Sequence, residues 1–261
     1  HFHAAGGLPF VIRELLDAGL LHEDVHTING TGLRHQTREP FLEEGNLVWR
    51  DAVAESNDKG ILSTVENPFS ADGGLKLVQG NLGRAVVKVS AVKPEFHKIE
   101  APAVVFTTQD EFIERFKTGE LEKDFVAVVT YQGPRANGMP ELHKLTPYLG
   151  LLQDKGFKVA LVTDGRMSGA SGKVLAAIQV TPEALGGGCL GLVQDGDPIV
   201  VDSIEGTLEL LVDESKLQQR TPQDPDLTLQ QQGMGRELFG AFRSQVSGAE
   251  QGGSVLGGGW S

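Results

Sequence analysis

The chain has 261 residues, a formal net charge of −12, 39% hydrophobic residues and a single cysteine, Cys189. This length and apolar content suffice for a packed core, and no apolar run reaches the ~18 residues of a membrane span. The acidic balance argues against nucleic acid or an anionic membrane as partner, and one cysteine excludes a disulfide framework and indicates a reducing compartment.

The first sixty or so residues are predicted to begin with an amphipathic helix. Pro9 lies in its first turn, and the apolar residues Val11, Ile12, Leu15 and Leu16 fall on one stripe that Gly19 ends. The turn-rich stretch 67–74 then marks a boundary. We therefore predict one segment over residues 1–65, a domain over 66–247, and a flexible Gly-rich tail over 248–261.

Short strands and a few helices are predicted beyond the boundary. The strands are Leu75–Val78, Ala85–Ser90, Ala103–Phe106, Phe125–Thr130, Lys158–Thr163, Cys189–Val193, Ile199–Asp202 and Thr207–Val212, and the helices are Gln109–Phe116, Leu145–Gln153 and Lys173–Val180. Cys189 follows three glycines and is predicted to be a buried strand residue rather than a metal ligand. The pattern predicts an α/β fold with a mixed, barrel-like sheet and flanking helices.

The segment Thr163–Lys173, here called the serine turn, lies between an apolar predicted strand and an apolar predicted helix. Its small residues would let backbone N–H groups converge on an anion at the helix start, where the Ser168 hydroxyl would lie in a positive field. The same residues are also common in ordinary turns and N-caps. A P-loop is excluded because Val174 stands where a Mg²⁺-binding Ser or Thr belongs, and no Gly-x-Ser-x-Gly frame is present.

Several long motifs in order carry a family resemblance. They are His1–Gly7, Asn67–Ser70, Gly80–Lys88, Gly133–Pro147, Asp164–Lys173 and Thr181–Ala184. Together they closely resemble the C-terminal part of the iron–sulfur dehydratase family, which includes dihydroxy-acid dehydratase and the sugar-acid dehydratases. Met167, Ala170, Ser171 and the stretch His143–Thr146 favour its phosphogluconate branch, because other branches more typically have Phe-Ser-Gly-Gly-Thr in the serine turn.

The resemblance implies a C-terminal domain similar to the swivelling domain of aconitase, preceded by a helical tail of a large N-terminal domain. It implies an iron–sulfur cluster and Mg²⁺ as cofactors. One thiol cannot hold such a cluster, so its cysteines would lie in the missing N-terminal domain, which becomes the expected partner. A cytoplasmic homodimer is expected for the complete enzyme.

The implied activity is that of a hydro-lyase acting on a small anionic sugar-acid phosphate. It would dehydrate 6-phospho-D-gluconate to 2-dehydro-3-deoxy-6-phosphogluconate in the Entner–Doudoroff pathway, and the isolated chain is expected to be inactive. One alternative is a dihydroxy-acid or unphosphorylated sugar-acid dehydratase. Another is a stand-alone phosphate-binding or regulatory module.

By the same resemblance, Ser168 is the catalytic base. A serine hydroxyl is a feeble base at neutral pH, so it needs stabilisation as an alkoxide, for which Arg166 and Lys173 are the local candidates. Arg166, Lys173 and Ser171 are also expected to contact substrate. The alternative for both cations is a solvated position in a turn.

Glu141, in Gly-Met-Pro-Glu, corresponds to a Mg²⁺ ligand of the family, and a carboxylate oxygen suits this hard cation. Without the resemblance, Pro140-Glu141 would be an ordinary helix start. Arg135 and Arg84 are candidates for phosphate recognition because arginine makes bidentate contacts with phosphate, although either could form a surface ion pair.

Overall fold

The computed structural model describes residues 1–168 and 172–256. The chain divides into two compact units, His1–Asp72 and a second unit that begins at Gly73. Among the described residues, no helix is long and apolar enough to cross a membrane.

The first unit combines helices with two hairpins. It contains α1 (Phe2–Ala5), α2 (Gly7–Asp17), β1 (His26–Thr27), β2 (Gly30–Thr31), the 3-10 helix Arg34–Thr37, β3 (Arg38–Glu43) and β4 (Asn46–Asp51). The predicted amphipathic helix is α2, and it contributes Phe10 to a small core with Ala5 and Leu62. The predicted helical tail also contains strands, because β3 pairs antiparallel with β4. Most residues of this hairpin are exposed, so the apolar alternation typical of a half-buried strand is absent.

The second unit is built on a closed barrel of eight strands. They are β5 (Leu75–Gly80), β6 (Gly83–Lys88), β7 (Lys98–Phe106), β8 (Phe125–Val129), β9 (Val159–Thr163), β10 (Ala176–Thr181), β11 (Pro198–Asp202) and β12 (Thr207–Leu210). The order around the barrel is β10-β6-β5-β12-β11-β7-β8-β9, and β9 closes it by pairing in parallel with β10. Parallel and antiparallel pairs both occur, which confirms the predicted mixed, barrel-like sheet.

Helices cover part of the barrel. They are α3 (Gln109–Lys117), α4 (Pro134–Asn137), α5 (Leu145–Asp154), α6 (Glu214–Leu217), α7 (Thr228–Gln231) and α8 (Gly240–Gln245), with 3-10 helices at Pro94–Phe96, Ala184–Gly186, Cys189–Leu192, Arg236–Phe239 and Ala249–Gln251. Both α3 and α5 were predicted. The Thr108 side chain caps α3 by accepting a hydrogen bond from the Glu111 N–H group at 3.1 Å.

Two apolar clusters hold this unit together. One fills the barrel and includes Val126 and Val162; the other lies between the sheet and helices α3 and α5 and includes Phe112 and Leu149. Strands β8 and β9 are buried along their whole length because they contribute to both clusters. Their continuous apolar sequence is typical of parallel strands covered on both faces.

Two predicted elements are wrong. The segment Lys173–Val180 is not a helix, because residues 176–181 form β10 between β6 and β9. The segment Cys189–Val193 is not a strand, because residues 189–192 form a 3-10 helix in which Cys189 is only partly buried. Both runs are short and mostly apolar, and such runs do not distinguish helix from strand by periodicity.

The predicted flexible tail begins with residues that contact the rest of the second unit. Ala249–Gln251 is a 3-10 helix, and Glu250 forms an ion pair with Arg84 of β6 at 3.0 Å. Residues 257–261 lie outside the described residues.

Candidate functional site

The connection that follows β8 meets the serine turn that follows β9. We call Gly133–Glu141 the glutamate loop. Arg166 of the serine turn donates from Nε to the Met139 carbonyl oxygen at 2.8 Å and from Nη1 to Glu141 Oε1 at 2.9 Å. The backbones of Glu141 and Arg166 also form an isolated β-bridge. Two predicted site residues 25 positions apart are thus in direct contact.

The local sequence of the glutamate loop explains how Glu141 reaches this position. The short helix α4 begins with Pro134 and ends at Gly138, whose φ of 70° is in the left-handed region. The chain then turns toward Pro140, and the Leu142 N–H group donates to the Arg166 carbonyl oxygen at 3.0 Å. Backbone and side-chain contacts therefore both hold the loop against the serine turn.

The Arg166–Glu141 ion pair is accessible to solvent. The two side chains are 44% and 43% exposed. Ion pairs at this exposure contribute little to stability, typically below about 1 kcal/mol. Either group can therefore exchange its partner for a metal ion or an anionic ligand at small cost.

Ser168 lies two residues beyond Arg166 and is partly buried. The helix predicted from Lys173 to Val180 is absent, because residues 176–181 form β10. Within the described residues 172–181, no helix therefore supplies the N-terminus that was expected to favour a charged Ser168. Ser171, which was predicted to contact substrate, lies outside the described residues.

Lys173 has a different partner from the one that was predicted. Its Nζ contacts Asp154 Oδ1 and Oδ2, at the end of α5, at 2.8 and 2.9 Å. This hydrogen bond lowers the pKa of Asp154 below its ordinary value. The two predicted cations of the serine turn are thus both in ion pairs, Arg166 with Glu141 and Lys173 with Asp154.

A buried carboxylate at the start of the serine turn was not singled out by the sequence analysis. Asp164 is 0% exposed. Its Oδ1 accepts a hydrogen bond from the Gln132 N–H group at 2.8 Å, and its Oδ2 accepts one from Ala184 at 3.0 Å. Burial raises the pKa of Asp164 to about 6, although the two backbone hydrogen bonds oppose the shift. The available signal was an aspartate directly after a strand of four apolar residues and a threonine.

Glu183 is a second buried carboxylate near this point. It is 6% exposed and accepts hydrogen bonds from the Arg135 and Ala136 N–H groups of α4, at 3.1 and 3.3 Å. Burial raises the pKa of Glu183. The N-cap of α4 supplies no side-chain hydrogen bond to the first N–H groups of this helix. Glu183 is the acceptor for these groups instead.

The two candidate phosphate-binding arginines have other contacts in the structure. The Arg135 side chain donates from Nε to the Val246 carbonyl oxygen at 3.3 Å and borders a cleft of about 210 Å³ with Pro182 and Gly248. Arg84 pairs with Glu250. Neither of these contacts is with the Arg166–Glu141 pair.

The residues that the structure describes do not by themselves fit either expected cofactor. Glu141 offers carboxylate oxygens of the kind that Mg²⁺ prefers. However, no group of three or more His, Cys, Asp or Glu side chains within residues 1–168 and 172–256 is arranged to hold a metal ion. The lone Cys189 cannot ligate an iron–sulfur cluster. Glu141 can therefore serve only as one ligand among others supplied from elsewhere.

The chain is similar to a known family and to several known proteins over the region that contains the glutamate loop and the serine turn. Residues 60–253 match the family described as dihydroxy-acid/6-phosphogluconate dehydratase C-terminal. The chain is 60% identical, over 97% of its length, to phosphogluconate dehydratase of Pseudomonas aeruginosa, and 57% identical, over 98%, to that of Escherichia coli. It is 41% identical, over 83%, to dihydroxy-acid dehydratase of Ignicoccus hospitalis. The chain spans only 41%, 42% and 37% of the lengths of these three relatives.

Proposed function

Because the chain belongs to the dihydroxy-acid/6-phosphogluconate dehydratase C-terminal family, we propose that it is the C-terminal part of a phosphogluconate dehydratase. The complete enzyme dehydrates 6-phospho-D-gluconate to 2-dehydro-3-deoxy-6-phosphogluconate, the hydro-lyase step of the Entner–Doudoroff pathway. The observation that carries the proposal is the 2.9 Å contact between Arg166 Nη1 and Glu141 Oε1. It joins the two motifs to which the family resemblance assigns the base and a metal ligand.

The reaction removes the proton on the carbon next to the carboxylate and expels the hydroxyl of the neighbouring carbon. The resulting enol tautomerises to a 2-keto acid. Hydroxide leaves poorly unaided, and a metal centre, when bound, supplies the Lewis acid that its departure requires. The proposed role of this chain in the reaction is to accept the proton and to position the side chains around the base.

Ser168 is the proposed base, and Arg166 is the cation nearest to it in sequence. Because residues 176–181 form a strand rather than the predicted helix, nearby cations are the proposed stabilisers of a serine alkoxide. Lys173, which pairs with Asp154 as Arg166 pairs with Glu141, is the second candidate and lies five residues after Ser168. Arg166 has a second proposed task, since its two contacts with the glutamate loop set the distance between Ser168 and Glu141.

Glu141 is the proposed Mg²⁺ ligand that this chain contributes. We place the remaining Mg²⁺ ligands and the cluster cysteines in an N-terminal domain, which the relatives are long enough to contain. This N-terminal domain is also the proposed partner of the two units described here. Homodimerisation and a cytoplasmic location are part of the same proposal.

Sequence identity favours a phosphogluconate dehydratase over the dihydroxy-acid alternative. Seven phosphogluconate dehydratases are 52–60% identical to the chain, whereas the dihydroxy-acid dehydratase of Ignicoccus hospitalis is 41% identical. The identities also extend over nearly the whole chain, including both motifs of the site. A stand-alone binding module has no comparable support.

Kinetics of Ser168→Ala in the complete, cofactor-loaded enzyme test the proposal. Removing a general base costs on the order of 10² to 10⁴ in rate, so kcat for 2-keto acid formation from 6-phosphogluconate should collapse while KM changes much less. Ser244→Ala, at an exposed serine of α8, is the matched control and should be unaffected.

Two results would count against the proposal. A near-wild-type kcat in folded Ser168→Ala would remove the assignment of the base. Absence of 2-keto acid formation by the loaded wild-type enzyme would remove the assignment of the reaction.

A further inference from the structure

We propose that Asp164 is a positioning residue that fixes the serine turn against the connections that follow β8 and β10. The inference deepens the proposed function and depends on it for its catalytic consequence. Asp164 itself touches neither Glu141 nor Arg166 through its carboxylate, whose hydrogen bonds go to Gln132 and Ala184.

The carboxylate binds two backbone amides that belong to different connections. The Gln132 N–H group lies directly before the glutamate loop, and the Ala184 N–H group lies in the connection after β10. Because the partners are peptide groups rather than flexible side chains, the contacts fix the chain path itself. Full burial strengthens both hydrogen bonds and makes an unpaired N–H group costly.

Further contacts extend from Gln132 into the glutamate loop. The Gln132 side chain donates to the Thr107 carbonyl oxygen at 2.8 Å and accepts from Asn137 Nδ2 at 2.9 Å. Asn137 is the last residue of α4. The Asp164 anchor is thus connected to the loop through the side chain as well as the backbone of Gln132.

The other anchor point also leads back to the glutamate loop. Glu183 precedes Ala184 and accepts hydrogen bonds from the first amides of α4. Glu183 therefore holds the start of α4 directly, and Asp164 is connected to the end of α4 through Gln132 and Asn137. Movement of this network would be transmitted to the loop that carries Glu141.

Asp164 and Ser168 are close enough in sequence for the position of one to affect the position of the other. Ser168 lies four residues after Asp164, and between them the Gly165 carbonyl oxygen accepts from the Gln179 N–H group at 2.8 Å. Releasing Asp164 would allow Ser168 to shift relative to Glu141. Misplacement of a reacting group by about 1 Å can cost about 10²-fold in rate.

Asp202 provides a matched control for a purely structural role. It is 2% exposed and accepts hydrogen bonds from the Ile204 and Glu205 N–H groups in the turn between β11 and β12. Like Asp164 it is a buried carboxylate that accepts backbone amides, but it also forms an ion pair with Lys98 at 3.1 Å and belongs to a turn that the proposed reaction does not use. Asp202→Asn should therefore affect stability without a specific effect on kcat.

The first arm of the experiment compares Asp164→Asn with Asp202→Asn in the complete, cofactor-loaded enzyme acting on 6-phosphogluconate. At a temperature where both are folded, Asp164→Asn should lose about 10- to 100-fold in kcat with KM within about threefold, and Asp202→Asn should stay within about twofold of wild type. A normal kcat in folded Asp164→Asn overturns the inference.

The second arm does not depend on activity. In the 261-residue chain, Asp164→Asn should increase amide hydrogen exchange in peptides covering 132–142 and 184–187, whereas Asp202→Asn should not. Equal protection of these peptides in wild type and Asp164→Asn overturns the inference. If the wild-type enzyme fails to dehydrate 6-phosphogluconate, the proposed function is lost, and this arm alone judges the positioning role.

A second variant removes the same contact from its other end. Ala184 is the first residue of a 3-10 helix, and Glu183 before it is extended, so proline fits the backbone there. Ala184→Pro removes the N–H group that Asp164 Oδ2 accepts from, and it adds two ring carbons at a position that is 4% exposed. It should lower kcat in the same direction, and it carries the test if Asp164→Asn does not fold. Normal kcat in Ala184→Pro would then overturn the inference.

Discussion

At the scale of single residues, the site combines an exposed ion pair with a buried carboxylate. Arg166 and Glu141 are both accessible, which suits groups that must meet a ligand. Asp164 is buried and binds only backbone amides in its hydrogen bonds, which suits a group that must hold a shape. Arg166 and Glu141 were each identified from motifs in the sequence, although their pairing was not predicted, whereas the role of Asp164 depends on contacts across 20 and 32 positions.

Side-chain pairing was the least predictable part of the site. The sequence placed Lys173 beside Ser168, but the lysine side chain is long enough to reach Asp154 at the end of α5. Neighbourhood in sequence fixes where a Cα lies, not which partner a flexible cation chooses. For the same reason Arg84 could be predicted as exposed but not as the partner of Glu250.

Burial of Asp164 predicts a pH dependence of stability. Its pKa is about 6 when folded and 3.8 as an ordinary value, so the folded state holds the proton more tightly than the unfolded state. The stabilisation is complete below about pH 4 and is lost as the pH rises through 6, by about 2 kcal/mol between pH 4 and 7.5. The nearby carboxylate of Glu183 acts in the same direction, and Tyr131 also faces Asp164.

Denaturant unfolding of wild type and Asp164→Asn at pH 4 and pH 7.5 measures this contribution. The unfolding free energy of wild type minus that of the variant should fall by about 2 kcal/mol over this range, because asparagine does not titrate. A difference that stays constant, or that rises with pH, would contradict the raised pKa.

At the scale of elements, strands were predictable where they form an uninterrupted apolar run that is buried on both faces of the sheet. β8 and β9 are uninterrupted apolar runs, and the prediction placed them within one residue. β10 was predicted as a helix because Ala176, Ala177 and Ile178 suit either structure. Its strand conformation is imposed by pairing with β6 and β9, which local sequence does not reveal.

The seam between β5 and β12 predicts a glycine requirement. A Cβ at Gly80 would lie 2.2 Å from the Leu208 carbonyl oxygen, which is a backbone atom that cannot rotate away. Gly80→Ala should therefore lower the unfolding free energy by about 1–3 kcal/mol through overpacking. Gly73→Ala is the control, since a Cβ there meets nothing within 4 Å, and thermal unfolding compares the two. Equal stability of the two variants would show that the seam has room to relax.

At the scale of the whole molecule, fold class and family followed from the order of elements and motifs. The barrel closure and the hairpins of the first unit did not, because closure is a long-range pairing and the hairpins have few buried residues. The cofactor expectation has a direct consequence for the isolated chain. The chain has one thiol, and residues 1–168 and 172–256 contain no cluster of carboxylates and histidines that could hold a metal ion, so they lack the catalytic centre that the resemblance implies.

The purified 261-residue chain, supplied with Mg²⁺ but without the rest of the enzyme, should therefore show no dehydration of 6-phosphogluconate. A coupled assay for 2-keto acid formation checks this, with the complete loaded enzyme as the positive control. Turnover by the isolated chain would mean that its own residues suffice for the Lewis-acid step.

The central claim, that these units belong to a phosphogluconate dehydratase, is tested most directly by the substrate preference of the complete, cofactor-loaded enzyme. We predict that kcat/KM for 6-phosphogluconate exceeds that for gluconate and for a branched 2,3-dihydroxy acid by at least about 10²-fold, since a site built to bind a phosphate discriminates against substrates that lack it. A preference for either unphosphorylated acid would contradict the account.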